Sequence, residues 1–222
     1  VGFGASGRNG GQLGAGQRVS QDELVSYLGE KHAHNLWLLA KDAVNTVKEI
    51  IKTNKIDCHL KPGVATLGFN SKEVKGLHQY AEYLEKKYNY DGLEKLDHKV
   101  CSAICGSEKY KGGILDMNAA HLHPLRFVFG LAKAAIQAGA DIFEKSEVTS
   151  LLPGKVNRTL TNSGEIQSEF VVLGCNGYLG NLEQKVAAKV MPINNFIVAT
   201  EPLGHRAKSV LAKDIAVADT KF

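Results

Sequence analysis

The residues with the clearest chemistry stand at the start of the chain, Val1-Gly-Phe-Gly-Ala-Ser-Gly-Arg-Asn-Gly-Gly-Gln-Leu-Gly-Ala-Gly-Gln17. Six glycines fall within the first fourteen residues. Glycine at that density costs backbone entropy, so the backbone must be bare for a reason. The usual reason is close approach of main-chain N–H groups to an anion, above all a phosphate. A flexible Gly-rich tail is the plain alternative, but such tails rarely carry an embedded Arg-Asn pair and a capped helix directly after.

Gly2, Gly4 and Gly7 also satisfy G-x-G-x-x-G. That dinucleotide fingerprint needs a strand before it and a helix opening at its third glycine. Only Val1 precedes Gly2, and Arg8–Gly16 has no helical apolar period, so the match is a decoy. Asp22 and Glu23 lie at about the distance of a ribose-binding acid, but they fall at a helix start and not at the end of a second strand.

The remaining chemistry is weaker. Four cysteines occur, Cys58, Cys101, Cys105 and Cys175. Cys101 and Cys105, joined by His121 and His123, are a thinkable zinc set, but their spacing is unlike structural zinc sites. No metal is expected, and reduced, mostly buried thiols of a cytoplasmic protein are the simpler reading. His32 and His34, two apart on a helix, point apart and are read as surface imidazoles.

The elements that position these residues follow from pattern. Ser20-Gln-Asp-Glu23 is a capping box. Leu36, Leu39, Ala40, Ala43, Val44, Val47, Ile50 and Ile51 then recur at helical spacing, with Trp37 beside that face. Val64–Phe69 reads as a strand after the Lys-Pro-Gly turn at 61–63, and Ser71 reads as the cap of a second helix. Residues up to Tyr110 read as polar and irregular. His123-Pro124 reads as N-cap and N1 of a helix carrying Leu125, Val128, Phe129, Ala132, Ala135 and Ile136 and ending at Gly139. Ala140–Glu144 and Glu147–Leu152 read as extended. Lys155–Thr161 and Glu165–Gly174 read as strands about an Asn-Ser-Gly turn. Within the latter, Phe170–Leu173 is a continuous apolar run, as in a central strand buried on both faces.

The chain has 222 residues, 44% of them hydrophobic, with a net charge of +4. That allows one large or two small domains. Basic and acidic residues are interspersed, which argues against a nucleic-acid partner. No run approaches the about 18 apolar residues of a membrane span.

Several blocks together resemble one family. Gly2–Gln12 is similar to the G-x-G-x-S-x-R-N-G-G segment of the D-amino-acid oxidase-like superfamily of FAD-dependent oxidoreductases, nearest to its gamma-glutamylputrescine oxidoreductase group. His123-Pro124…Leu131-Ala132, Gly139–Leu151, Val171-Val172…Asn176-Gly177-Tyr178 and Met191–Leu203 resemble later family segments in order and spacing. The resemblance implies an α/β fold: a partial FAD/NAD(P)-binding, glutathione-reductase-like domain (1–54 and 112–190) interleaved with an α+β substrate domain (55–111 and 191–222). It implies FAD as cofactor, with Ser6, Arg8, Asn9, Gly10, Gly11 and Gln12 along the pyrophosphate and flavin. Val148 would lie at the adenine, and Cys175, Asn176, Gly177 and Tyr178 would line the cofactor. The implied reaction is oxidation of the C–N bond of an amine or amino acid, gamma-glutamylputrescine-like, by hydride transfer to flavin with oxygen as acceptor. No catalytic residue follows from it. The family's pyrophosphate fingerprint and C-terminal G-x-x-G turn are absent from these residues. The chain is therefore expected to be a fragment that is inactive alone and binds FAD weakly. The alternatives are a non-catalytic α/β fragment and a phosphate- or nucleotide-binding module.

Overall fold

A computed structural model describes residues 1–221. In chain order the elements are β1 (Gln12–Leu13), α1 (Gln21–Leu28), α2 (Glu30–Thr53), β2 (Lys61–Gly68), α3 (Ser71–Tyr88), β3 (Leu93–Asp97), α4 (His98–Cys105) and β4 (Gly112–His121). They continue with α5 (Pro124–Gln137), β5 (Val148–Leu152), β6 (Asn157–Thr161), β7 (Gly164–Ser168), α6 (Gln184–Ala187), α7 (Ala207–Val210) and β8 (Ala216–Asp219). The chain is thus of mixed α/β class, as expected. It divides into two compact units, one of Val1–Gln137 with Ala199–Phe222 and one of Ala138–Val198.

The first unit is built on a sheet of order β1-β4-β2-β8, with β3 also on β4. β4 is its longest strand. On one side β4 pairs antiparallel with β2, from Lys61↔His121 to Gly68↔Gly112. Its other side is shared: β1 takes the end at His121 and Ala120, and β3 takes Gly112–Asp116. Ala65, Leu67 and Leu115 of the sheet pack with Leu96, Cys101, Ile104 and Ile215 into one core cluster. Burial pushes the Cys101 thiol up to about 11, so it sits as an inert apolar group.

A second cluster joins α2 and α3 through Trp37, Leu84, Tyr88 and Tyr90. Trp37, only 2% exposed, meets Tyr88 at 5.4 Å and Tyr90 edge-on at 5.1 Å between ring centroids. Ala33, Trp37, Ala40, Val44 and Ile51 are the buried residues of α2. The buried stripe is therefore rotated from the apolar pattern in the sequence: Leu39 is 62% exposed, and Trp37, placed beside the face, lies at its centre. Aromatic partners from α3 and the segment before β3 pull that side of the helix inward.

Helix starts follow local chemistry. Ser20 and Glu23 close the expected capping box, with Ser20 N–H and Oγ both directed to Glu23 Oε2. At α3 the cap is Asn70, one residue before Ser71, because the Asn70 side-chain Oδ1 accepts from the N–H groups of Lys72 and Glu73 at 3.0 Å. The region read as irregular before Tyr110 contains β3 and α4. α4 is capped by Asp97, whose carboxylate accepts from Val100 N–H at 2.8 Å. Charged β3 residues masked its period, and the strand exists because β4 supplies its ladder.

The second unit contains the antiparallel meander β5-β6-β7. The hairpin at residues 162–163 is as expected, with Thr161↔Gly164 the last pair before the turn. Ala140–Glu144 and Phe170–Leu173 form no strand, nor does Met191–Leu203. Phe170 and Val172 are 83% and 91% exposed, as are Phe196 and Val198 at 85% and 89%. An apolar run becomes a buried strand only when other strands satisfy its backbone on both sides. Among the described residues none pairs with these segments.

Candidate cofactor site

The glycine-rich start folds into a closed loop. Gly7 N–H donates to Gly4 O and Arg8 N–H to Ala5 O, each at 3.1 Å, making a short 3₁₀ turn at Ala5–Gly7. Asn9 then fastens the loop from inside. Its Nδ2 donates to Ala5 O at 3.0 Å and Ser6 O at 3.1 Å, and its Oδ1 accepts from Gly11 N–H at 2.9 Å. The Arg-Asn pair that set this stretch apart from a flexible tail is thus an internal brace.

Two glycines are required by geometry. Gly11 has φ +71°, and a Cβ there would lie 2.0 Å from Leu122 O, the residue whose N–H donates back to Gly11 O at 2.9 Å. A side chain at Gly7 would sit 2.0 Å from Gly2 O. The loop is anchored behind by β1 on β4 and by α5, since Leu125 and Val128 lie against Gly2. α5 itself is held by Gly130, where a Cβ would be 2.2 Å from Ile56. His123 caps that helix, Nδ1 accepting from Arg126 N–H at 3.4 Å. His121 Nε2 donates to the Asp214 main-chain carbonyl at 3.1 Å, so each histidine already holds a hydrogen bond.

What the loop leaves outward is a set of donors. Ser6, Arg8, Asn9 and Gly10 are exposed. Among the described residues the Ser6 hydroxyl and the N–H groups of Asn9 and Gly10 have no hydrogen-bond partner. The Arg8 guanidinium rests on the Phe3 ring at 4.1 Å, a cation–π contact that orients it without neutralising it. Gln12 is exposed at the head of β1. A cation, a hydroxyl and free main-chain N–H groups around bare glycine backbone fit the diphosphate of a dinucleotide. The structure therefore brings Ser6, Arg8, Asn9, Gly10, Gly11 and Gln12 into one loop, with Asn9 and Gly11 turned partly to structural work.

The other expected residues belong to the second unit. Val148 opens β5 opposite Thr161 and is half-buried; the register shifts between Val148 and Ser150. A bulge there re-aims the strand end. Asn176, Gly177 and Tyr178 form a 3₁₀ turn after Cys175. Asn176 holds φ +51°, and its own Oδ1 accepts from Gly177 N–H at 2.8 Å. Tyr178 is 70% exposed. No group of three or more His, Cys, Asp or Glu side chains able to hold a metal occurs among the described residues. Cys101 and Cys105 are instead linked along α4, Cys105 Sγ donating to Cys101 O at 3.2 Å.

Sequence reasoning missed one polar arrangement near the loop. Tyr90 Oη donates to Asp116 Oδ2 at 2.7 Å, while Asp116 Oδ1 accepts from the N–H groups of Asn118 and Ala119. Burial and the adjacent carboxylate push the Tyr90 phenol up. No local signal marks a pair that the β3–β4 ladder brings together.

No helix among the described residues is long and apolar enough to cross a membrane. The pattern of the FAD dependent oxidoreductase (DAO) family matches residues 1–220. A probable oxidoreductase OrdL of Haemophilus influenzae is 36% identical over 100% of this chain and 53% of its own length. The gamma-glutamylputrescine oxidoreductase of Escherichia coli is 31% identical over 100% of this chain and 52% of its own. The chain thus spans about half the length of these relatives. Among solved structures, glycine oxidase from Geobacillus kaustophilus superposes with a TM-score of 0.65 at 20% identity, over 84% of this chain and 49% of that one. The glycine loop, its brace and the sheet behind it therefore lie in a chain that belongs to the FAD dependent oxidoreductase family, with FAD as its cofactor.

Proposed function

We propose that the chain is part of an oxidoreductase that oxidises the C–N bond of a small amine or amino acid, with a gamma-glutamyl amine as substrate and oxygen as acceptor. The observation that carries this is the Asn9-braced loop. It presents Ser6, Arg8 and the Gly10 N–H outward at the segment that the family resemblance assigns to FAD. The 31% identity to gamma-glutamylputrescine oxidoreductase supports the substrate class. Bound FAD supplies the two-electron oxidation.

The chain's own residues bind and orient. Ser6, Arg8, Asn9, Gly10, Gly11 and Gln12 take the pyrophosphate–flavin side; Val148 takes the adenine; Cys175, Asn176, Gly177 and Tyr178 line the cofactor. Residues 1–54 and 112–190 serve the cofactor, and 55–111 with 191–222 serve the substrate. In such a site the protein's contribution is to hold the reacting carbon in place and exclude water. The four cysteines are free thiols, in keeping with a cytoplasmic setting. Residues 1–222 alone are inactive in this reading, because the relatives' activity belongs to chains about twice as long.

The test uses the full-length protein. It should purify yellow, lose its flavin absorbance anaerobically on adding gamma-glutamylputrescine, and consume oxygen when air is readmitted. A colourless protein that cannot be loaded with FAD, or a flavin that no amine or amino acid bleaches, overturns the reading.

A further inference from the structure

A concavity lies next to the glycine loop. It is a cleft of about 210 Å³ lined by Ala15, three residues beyond Gln12, and by Lys41, Asn45, Lys48, Tyr90, Asp91 and Asn118, among others.

One wall belongs to α2. Lys41, Asn45 and Lys48 recur at four- and three-residue spacing, which places them on one helix face. Asp91, from the segment between α3 and β3, lines the same cleft and is exposed. A solvated helix face usually settles its charges locally, and Lys87 does so with Glu30 at 2.9 Å. Here Lys41, although half-buried, has no hydrogen bond or ion pair among the described residues, and Asp91 has no ion pair. Opposite charges thus face one cleft without meeting across it.

The wall is also built, not loose. Lys48 Nζ donates to Asn118 O at 2.8 Å. Asn118 is pinned through its N–H to Asp116, which also holds Tyr90. Its amide lies where only glycine leaves room, since a Cβ at Gly92 would be 2.3 Å from Asn118 Nδ2. Lys48 and Asn118 are thereby held in place, which lowers the entropy these two lose on binding.

We propose that this cleft binds the zwitterionic head of an α-amino acid, its carboxylate on Lys41, Asn45 and Lys48 and its ammonium on Asp91. Such a head carries the two charges the cleft leaves unmatched. Resting on the function proposed above, it is the non-reacting end of the substrate, and the cleft selects amines that carry an amino-acid head over plain diamines.

Titration calorimetry on the full-length, FAD-loaded protein, done without oxygen, tests this with gamma-glutamyl methylamide, which has the head group and lacks the terminal primary amine. The wild type should bind it. Lys41→Met and Asp91→Asn should each weaken binding at least tenfold, and N-acetylation of the probe should do the same. Melting temperatures of both variants should stay within about 2 °C of wild type, since neither residue has a structural partner. No binding to wild type, or variants and acetylated probe that bind as the wild type does, overturns the proposal. If the probe binds as expected while no amine bleaches the flavin, the cleft stands and the proposed reaction falls.

Discussion

Asn9 shows how one side chain converts a glycine-rich stretch into a binding loop. Its amide satisfies two carbonyls and one N–H between Ala5 and Gly11, and each such bond is worth about 0.5–1.5 kcal/mol. Asn9→Ala in the full-length protein should weaken FAD binding by roughly 10-fold or more, a loss of about 1.4 kcal/mol per decade, measured by fluorescence quenching of added FAD. Unchanged affinity would show that the loop is held from outside. Glu73 is a second case. The Thr220 hydroxyl and Phe69 N–H, with Lys221 nearby, bring its carboxyl down from 4.5 to about 2. A lowered folded value means the stabilisation is present above pH 4.5 and drains away as pH falls towards 2. Glu73→Gln should therefore lower the melting temperature at pH 7, with the gap to wild type closing between pH 4.5 and 2. A gap independent of pH would mean that shape, and not charge, holds α3 to the end of β8.

At the scale of elements, α1 is tied down by a buried amide. Gln21, 2% exposed, donates from Nε2 to Ala33 O at 2.6 Å and to Tyr88 Oη at 3.1 Å, and its N–H donates to Tyr80 Oη. α1, α2 and α3 thus meet at one side chain. Gln21→Ala strands a buried carbonyl and a phenol and should cost about 1–3 kcal/mol in denaturant unfolding. A neutral effect would mean that water replaces the amide at no cost. α2 also carries the lysine face of the cleft, so the aromatic cluster that rotates α2 about Trp37 sets which α2 residues point there.

For the molecule as a whole, the two units differ in how much apolar surface they cover. In the second, Phe170, Val172, Phe196 and Val198 stand more than four-fifths exposed. Patches of this kind mark surfaces that another partner covers or that aggregate. The 222-residue chain by itself should bind a hydrophobic dye strongly and precipitate at micromolar concentration, whereas the full-length protein should do neither. Weak dye binding by the 222-residue chain would show that these segments find cover within it.

Local chemistry was legible in the amino acids alone. The capping box at Ser20, the His123-Pro124 helix start, the Asn-Ser-Gly hairpin and the bare glycine loop each depend on neighbours a few residues away. Such interactions are encoded in the short-range pattern. The same loop with the later segments was enough to identify the family. Long-range pairings were not legible. That β4 pairs with β1, β2 and β3, that Tyr90 meets Asp116, and that Trp37 rather than Leu39 faces inward are settled by partners from distant elements. The apolar run at Phe170–Leu173 shows the reverse. Its composition specifies a buried central strand, but a central strand needs neighbours on both edges for its backbone, and only the tertiary structure decides whether they are there.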